Sequence, residues 1–100
     1  MVYTTINNLE TAESLCKKIL ETRLAACANI FPSGIALYHW EGKLERSEEV
    51  FILFKTTEEK MAILTNFITN HHPYSLPAIL SFKAGASDDF FKYIKSSTLI

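Results

Sequence analysis

The chain has no long hydrophobic run and no excess of charge, and both absences exclude classes of partner. No apolar stretch reaches the roughly 18 residues that a membrane-spanning helix needs, so we expect no membrane partner. The formal net charge is −1, whereas binding to nucleic acid or to an anionic surface needs a basic excess. We therefore expect no nucleic-acid partner. Hydrophobic residues make up 48% of the 100 residues, enough for a packed core, so disorder is not expected.

Cysteine is also scarce, and no catalytic motif accompanies it. Cys16 and Cys27 are the only two cysteines, too few for a disulfide framework or a paired metal knuckle. Together with an N-terminus that lacks a basic region and a cleavage site, this predicts a cytoplasmic protein with reduced thiols. Cys16 lies on an apolar helical stripe, which favours a buried side chain over a reactive thiol. No serine elbow, phosphate-binding loop or dinucleotide fingerprint occurs, so we expect no enzyme.

Hydrophobic periodicity predicts four strands and three helices in one domain over residues 1–100. The predicted segments are a strand over Val2–Ile6, a helix over Leu9–Glu21, a segment Arg23–Ile30 that leaves this helix and enters a strand, a bulge or kink at Pro32–Gly34 after which the strand resumes over Ile35–Trp40, a strand over Leu44–Lys55, a helix that ends near Asn70, a strand over Ala78–Phe82 and a closing helix after Ser87. This order predicts an α+β fold, a ferredoxin-like βαββαβ sandwich with a long hairpin between its second and third strands and an added C-terminal helix.

Polar residues at fixed spacing predict where the helices begin. Asn7 with Glu10, and Thr56 with Glu59, match the capping box, in which each side chain satisfies a backbone N–H of the first turn. Ser87, followed by two aspartates, is predicted to cap the last helix in the same way.

The long hairpin predicts an oligomer. Its segment Val50–Phe54 is apolar without alternation, which is typical of a strand covered on both faces, yet one helical layer covers only one face of a sheet. Arms of about ten residues extend about 33 Å, further than most strands of a domain this size. We therefore expect another copy of the chain to cover the second face. The predicted subunit interface contains Tyr38, Trp40, Phe51 and Leu53.

An acidic group lies on the returning arm of the same hairpin. Glu45, Glu48 and Glu49 are interpreted as a solvated strand edge that resists pairing with other edges. The alternative is that they supply oxygen ligands across a subunit interface.

The stretch from His71 to Pro77 combines the residues best suited to bind a ligand. His71 and His72 are metal-competent imidazoles, although neighbouring side chains diverge and make a poor chelate within one chain. An oligomer could bring the same histidine together from three chains, or beside a neighbour's acid. The alternative is that both histidines end a helix, where a partly charged ring suits the helix dipole.

Tyr74 and Lys55 are further candidates for ligand binding. Tyr74, between two prolines, either lines a cleft with its hydroxyl or packs as a core ring. Lys55, at a strand end before Thr56 and Thr57, could hold an anion with helix N-terminal amides, or it is an ordinary surface lysine beside a helix cap.

Several segments together point to a known family. They are Val2–Thr5, Arg23–Pro32, Tyr38–Lys43, Lys55–Thr57 and His72–Tyr74, followed by Pro77 and Ile79. With these elements in this order over nearly the full length, the chain resembles the CutA divalent-cation tolerance proteins. The resemblance implies a ferredoxin-like homotrimer of the bacterial type, locked by its long hairpins, without catalytic activity and with a role in tolerance of divalent metals.

The resemblance also implies a ligand set. Metal ligands in bacterial members, where copper binding is reported, are the paired histidines, here His71 and His72, and a first-strand cysteine that Tyr3 or Thr4 replaces. Loss of the thiolate removes the ligand that most favours Cu(I), which leaves a divalent metal such as Cu(II) as the expected cofactor. The commonly acidic position after the second proline is Ala78 here.

Two alternatives to metal binding stay open. The trimers of this family also resemble the PII signal proteins, which implies a small anionic ligand in an inter-subunit cleft near Tyr74 and Lys55. The other alternative is a structural adaptor whose rigid trimer is itself the function.

Overall fold

The structure, a computed structural model, describes residues 1–99 and confirms the predicted order of elements. The strands and helices are β1 (Val2–Ile6), α1 (Leu9–Glu21), β2 (Cys27–Trp40), β3 (Lys43–Lys55), α2 (Glu58–His71), β4 (Ile79–Ser81) and α3 (Asp88–Ser97). This is the α+β, ferredoxin-like arrangement with a long β2–β3 hairpin and an additional C-terminal helix. β4 is two residues shorter than the predicted Ala78–Phe82 segment.

The four strands form one antiparallel sheet in the order β2-β3-β1-β4. β1 lies in the middle and pairs with both β3 and β4, so that Tyr3 stands opposite Leu53 on one side and Leu80 on the other. Because side chains alternate along each strand, this register fixes which residues share each face of the sheet.

One face of the sheet carries the hydrophobic core. On β1 and β3, side chains that face the core alternate with side chains that face outward. Ile52 and Phe54 face the core and are fully buried. α1 and α2 cover them with apolar stripes that include Ile19 and Leu64. Each such side chain contributes roughly 1.5–3 kcal/mol when it is fully buried.

The opposite face, which we call the open face, has no helix over it in the described chain. Tyr3, Phe51 and Leu53 are only half-buried there, and Leu80 is exposed. The unbroken apolar run of β3 predicts that both faces of the strand are covered. Residues 1–99 of one chain cover only the face that carries the core.

The β2–β3 hairpin extends well beyond the core and gives the subunit a longest dimension of 44 Å. Its two-residue turn places Glu41 and Gly42 at φ 50° and 78°, which is the conformation that tight hairpins favour. Near the middle of the hairpin, Phe31 pairs with Phe51 but Gly34 pairs with Glu49, so β2 contains one extra residue. The bulge predicted at Pro32–Gly34 is confirmed.

Two predicted helix caps are wrong by one residue. Asn8, not Asn7, accepts the hydrogen bond from the Thr11 N–H, at 2.8 Å, and begins α1. Thr57 is the N-cap residue of α2, without a capping hydrogen bond from its side chain, and the Thr56 hydroxyl donates to the carbonyl of Leu24 at 2.7 Å. The Ser87 cap of α3 is confirmed. None of the helices in residues 1–99 is long and apolar enough to cross a membrane.

Candidate functional site

His72 anchors the segment that leads from α2 across the end of the sheet to β4. Its Nε2–H donates to the carbonyl of Thr5 at 2.8 Å, and its Nδ1 accepts the N–H of Tyr74 at 3.1 Å. A carbonyl can only accept and an N–H can only donate, so the ring is the neutral Nε2–H tautomer. The side chain is 9% exposed, and both of its nitrogens are occupied by the backbone.

His71 is in a different situation, although it is the adjacent residue. It is the last residue of α2, its side chain is exposed, and its ring stacks on Phe67 with the centroids 4.0 Å apart. Its Nδ1 lies 2.8 Å from the carbonyl of Phe67 and must donate to it. In the neutral ring this leaves the Nε2 lone pair free, which is the arrangement in which histidine binds metals.

The two predicted metal ligands therefore do not act as a pair within one subunit. Of these two residues only His71 has a free imidazole nitrogen, and no group of three His, Cys, Asp or Glu side chains able to hold a metal ion occurs within residues 1–99. Since a closed site needs about four ligands, a single subunit does not form a metal centre.

A cavity of about 850 Å³ lies on the open face, beneath the segment that His72 anchors. We call it the aromatic cavity because five aromatic rings line it. The rings belong to Tyr3, Tyr38, Trp40, Phe51 and Tyr74, and one carboxylate, that of Glu49, joins them. Among the described residues that line it there is no lysine, arginine or histidine.

Glu49 is buried in this cavity, at 8% exposure, so its interpretation as part of a solvated strand edge is wrong. Its Oε2 accepts the hydroxyl of Tyr74 at 2.8 Å. Desolvation, followed by this hydrogen bond and the negative charge of Glu49, raises the pKa of the Tyr74 phenol. Desolvation and the same charge raise the pKa of Tyr3, so both phenols stay neutral at physiological pH.

Lys55 lies elsewhere. Its Nζ sits 5.5 Å from the centroid of the Phe90 ring of α3, and it lines a second cavity, of about 660 Å³, at the N-terminal turn of α2. Within one subunit, Tyr74 and Lys55 therefore do not face the same space.

The residues predicted to form a subunit interface lie on the hairpin and on the open face. Tyr38 and Trp40 lie on the outer part of the hairpin and are 41% and 46% exposed. Phe51 and Leu53 are the half-buried pair on the open face. Cys16, by contrast, is buried in the core, as predicted.

These features define a class: a small ferredoxin-like protein with an overlong hairpin and an uncovered apolar sheet face. Residues 1–97 match the model of one family, described as CutA1 divalent ion tolerance protein. The chain belongs to this family, as its motifs predicted. The family is non-enzymatic, in agreement with the expectation from the sequence.

Individual relatives agree with the family match. The chain is 39% identical to the divalent-cation tolerance protein CutA of Salmonella newport over 87% of this chain and 76% of that protein. It is 33% identical to the chloroplastic CutA of Arabidopsis thaliana over 98% of its length, which is 54% of the plant protein. The crystal structure of a CutA1 variant from Pyrococcus horikoshii OT3 superposes with a TM-score of 0.94 at 38% identity, over 99% and 97% of the two chains.

Glu49 is the residue that sequence reasoning misjudged. Glu49 lies two residues before Phe51, so both side chains are on the same face of β3. This shared face with an aromatic residue was a signal that Glu49 is buried. What the sequence did not show is that Tyr74, 25 positions further on, returns to meet it.

Proposed function

We propose that the chain acts in the tolerance of divalent metals as a homotrimer that contacts a cation of the Cu(II) or Zn(II) type through His71. The supporting observation is the state of the two imidazoles. His71 is exposed and its Nδ1 is fixed on a backbone carbonyl, which leaves Nε2 free, whereas His72 has no free nitrogen. Imidazole is a suitable ligand for both metals.

The assembly follows from what one subunit leaves uncovered. Phe51 and Leu53 are half-buried and Leu80 is exposed on the open face, and the hairpin overhangs the core. Apolar area of this kind is normally removed from water by association. A trimer would also present three His71 side chains, so that ligands which one chain lacks would come from its neighbours or from water.

We place this assembly in the cytoplasm, with both thiols reduced. The supporting observation is that Cys16 and Cys27 are both free, with Cys16 inside the core. A small anion bound beside Tyr74 is less favoured, because the nearest charged group lining that cavity is the Glu49 carboxylate.

The test is a calorimetric titration with Cu(II) and with Zn(II), accompanied by the molecular mass from light scattering. The variants are His71→Ala and the control His39→Ala, which removes another exposed histidine, on the hairpin. We expect a trimeric mass for all proteins, with metal binding lost in His71→Ala and kept in His39→Ala. A monomer, or equal metal affinity in the two variants, would contradict the proposal. Weak binding throughout with an intact trimer would favour the adaptor alternative.

A further inference from the structure

Lysine side chains gather around the second cavity, the one that Lys55 lines, and we call it the basic cavity. The four lysines that line it are Lys55, Lys60, Lys83 and Lys95. They are four of the ten lysine and arginine residues in a chain whose formal net charge is −1. Among the described lining residues, two acids join them, Glu58 and Glu59. The side-chain charge around this cavity is therefore positive, although that of the whole chain is negative.

Most of these ammonium groups have no acidic partner in the described chain. Lys83 Nζ lies 3.4 Å from Oε1 of Glu58, but both side chains are largely exposed, and such a surface pair contributes little. Within residues 1–99 no ion pair joins an acid to any of the other three lysines. Lys55 is half-buried, and its Nζ is held 5.5 Å from the centroid of the Phe90 ring. An anion in this space would offset the mutual repulsion of the lysines.

The rest of the cavity wall is apolar and partly aromatic. Phe90 and Phe91, at the start of α3, line the cavity and are 38% and 52% exposed. Met61 and Ile94 lie on the same wall, and Ile94 is buried. Aromatic surface that is left exposed beside positive charge suits a ligand with a flat apolar body and an anionic group.

We propose that the basic cavity binds a small organic anion, whose phosphate or carboxylate group meets the lysines while an aromatic body lies against Phe90 and Phe91. Hydrogen bonds between an ammonium group and such an anion are strengthened by charge. Thr57 also lines the cavity, and its side chain makes no capping hydrogen bond, so its hydroxyl can donate to the same anion. The volume of about 660 Å³ is within the range of small-molecule sites.

The basic cavity is separate from the predicted subunit interface. Lys55 ends β3 and pairs with Cys27 at the base of the hairpin, whereas Glu41 and Gly42 turn at the opposite end. The described residues that line the basic cavity include none that line the aromatic cavity and none of the four predicted interface residues. Assembly through the open face and the outer hairpin therefore does not by itself fill this space.

Two other ligand classes fit less well. A divalent metal ion would meet an excess of positive charge, and the exposed Glu58 already faces Lys83. Inorganic phosphate would match the lysines but would leave the rings of Phe90 and Phe91 in water. The inference does not depend on the role proposed for His71, which does not line the cavity.

The probe is phenyl phosphate, compared with inorganic phosphate, which has the charge without the ring, and with benzyl alcohol, which has the ring without the charge. Binding to the full chain, without added metal, is followed by the amide chemical shifts in nuclear magnetic resonance. We expect saturable binding of phenyl phosphate, at least about tenfold tighter than that of either comparison compound. The largest shifts should lie within residues 57–61 and 83–91, which contribute most of the cavity wall.

The matched variants are Lys95→Gln and Lys92→Gln. Both lysines are exposed on α3, but only Lys95 lines the cavity. Lys95→Gln should weaken the binding of phenyl phosphate about threefold, and the Lys55→Gln/Lys95→Gln double variant at least about tenfold, whereas Lys92→Gln should leave it unchanged. Phe91→Ala should weaken the binding of phenyl phosphate but not that of inorganic phosphate. Lys95→Gln changes an exposed side chain and serves if the double variant does not fold.

Three results would overturn the proposal. They are no saturable binding of phenyl phosphate, an affinity for phenyl phosphate that is no higher than that for either comparison compound, and equal affinities in the Lys95→Gln and Lys92→Gln proteins. The His71→Ala protein should bind phenyl phosphate as the wild type does. Loss of metal binding in that variant, or its absence in the wild type, is therefore read separately from this result.

Discussion

The bulge of β2 depends on the absence of a side chain at Gly34, and replacing this residue with alanine is the most direct test of the fold. A Cβ atom at this position would lie 2.6 Å and 2.7 Å from Cε2 and Cζ of the Phe51 ring. It would also lie 2.9 Å from the backbone carbonyl oxygen of Glu49, the residue with which Gly34 pairs. Favourable contacts between heavy atoms begin near 3.5 Å.

The size of the effect follows from which atoms can move. The Phe51 ring could tilt, but the Glu49 carbonyl belongs to the paired strand and cannot rotate away without disturbing the ladder. Inserting a methyl group where the neighbours cannot relax typically costs about 1–3 kcal/mol. We expect Gly34→Ala to lower the free energy of unfolding by an amount near the upper end of that range, about 3 kcal/mol.

The assay is chemical denaturation followed by circular dichroism at one fixed protein concentration. Gly85→Ala is the control, because a Cβ there has nothing within 4 Å, and its expected effect is within about 0.5 kcal/mol. In the Phe51→Ala background, a Cβ at position 34 meets only the Glu49 carbonyl. Gly34→Ala should therefore lower the free energy of unfolding less in this background than in the wild type. Equal stabilities of the Gly34→Ala and Gly85→Ala proteins would refute the reasoning.

Two further predictions concern buried groups. Thr4 is fully buried and its hydroxyl has no hydrogen-bond partner among residues 1–99, so Thr4→Val should raise the free energy of unfolding by about 1–2 kcal/mol in denaturant titrations. A lower free energy of unfolding in this variant would contradict the prediction. Burial, and then the Glu13 carboxylate, raises the pKa of the Cys16 thiol to about 11, so the folded chain keeps this proton after the unfolded chain has lost it. Stability should therefore fall from about pH 9 towards pH 11, by at most about 1.4 kcal/mol per pH unit for this group. The Cys16→Ala variant should lack this fall in stability. An equal slope of the free energy of unfolding against pH in the variant and the wild type, between pH 9 and pH 10, would contradict the prediction.

The parts of the fold that could be predicted are those that local pattern determines. The apolar run of Val50–Phe54 identified the centre of a strand, and Pro32 and Gly34 located the bulge. Gly42 marked the hairpin turn, because few other residues accept its φ of 78°. Each of these signals lies within a few residues of the structure that it determines.

The caps were missed because neighbouring residues can compete for the same role. Asn7 and Asn8 are chemically identical, and only the path of the chain out of β1 decides which of them accepts the Thr11 N–H. The Thr56 hydroxyl was predicted to cap α2, but it donates to the carbonyl of Leu24, 32 residues away. Tertiary hydrogen bonds of this kind leave no local trace.

The candidate site was only partly predictable for the same reason. The sequence marked His71 and His72 as equivalent, but their roles diverge because one ring points out from the end of α2 while the other reaches the carbonyl of Thr5. The difference depends on how the segment crosses the sheet, and adjacent residues in a sequence do not reveal it.

The bulge links the stability of the hairpin to the aromatic cavity. Both residues that a Cβ at position 34 would meet, Phe51 and Glu49, also line the cavity. A glycine is therefore favoured where β2 pairs with β3 beside Phe51. The extra residue of β2 bends the outer hairpin, whose Tyr38 and Trp40 line the same cavity. Gly34→Ala should consequently weaken assembly of the proposed trimer even under conditions where the subunit remains folded, whereas Gly85→Ala should not. An unchanged molecular mass of a folded Gly34→Ala protein in light scattering would mean that the ring and the carboxylate can shift without affecting the predicted interface.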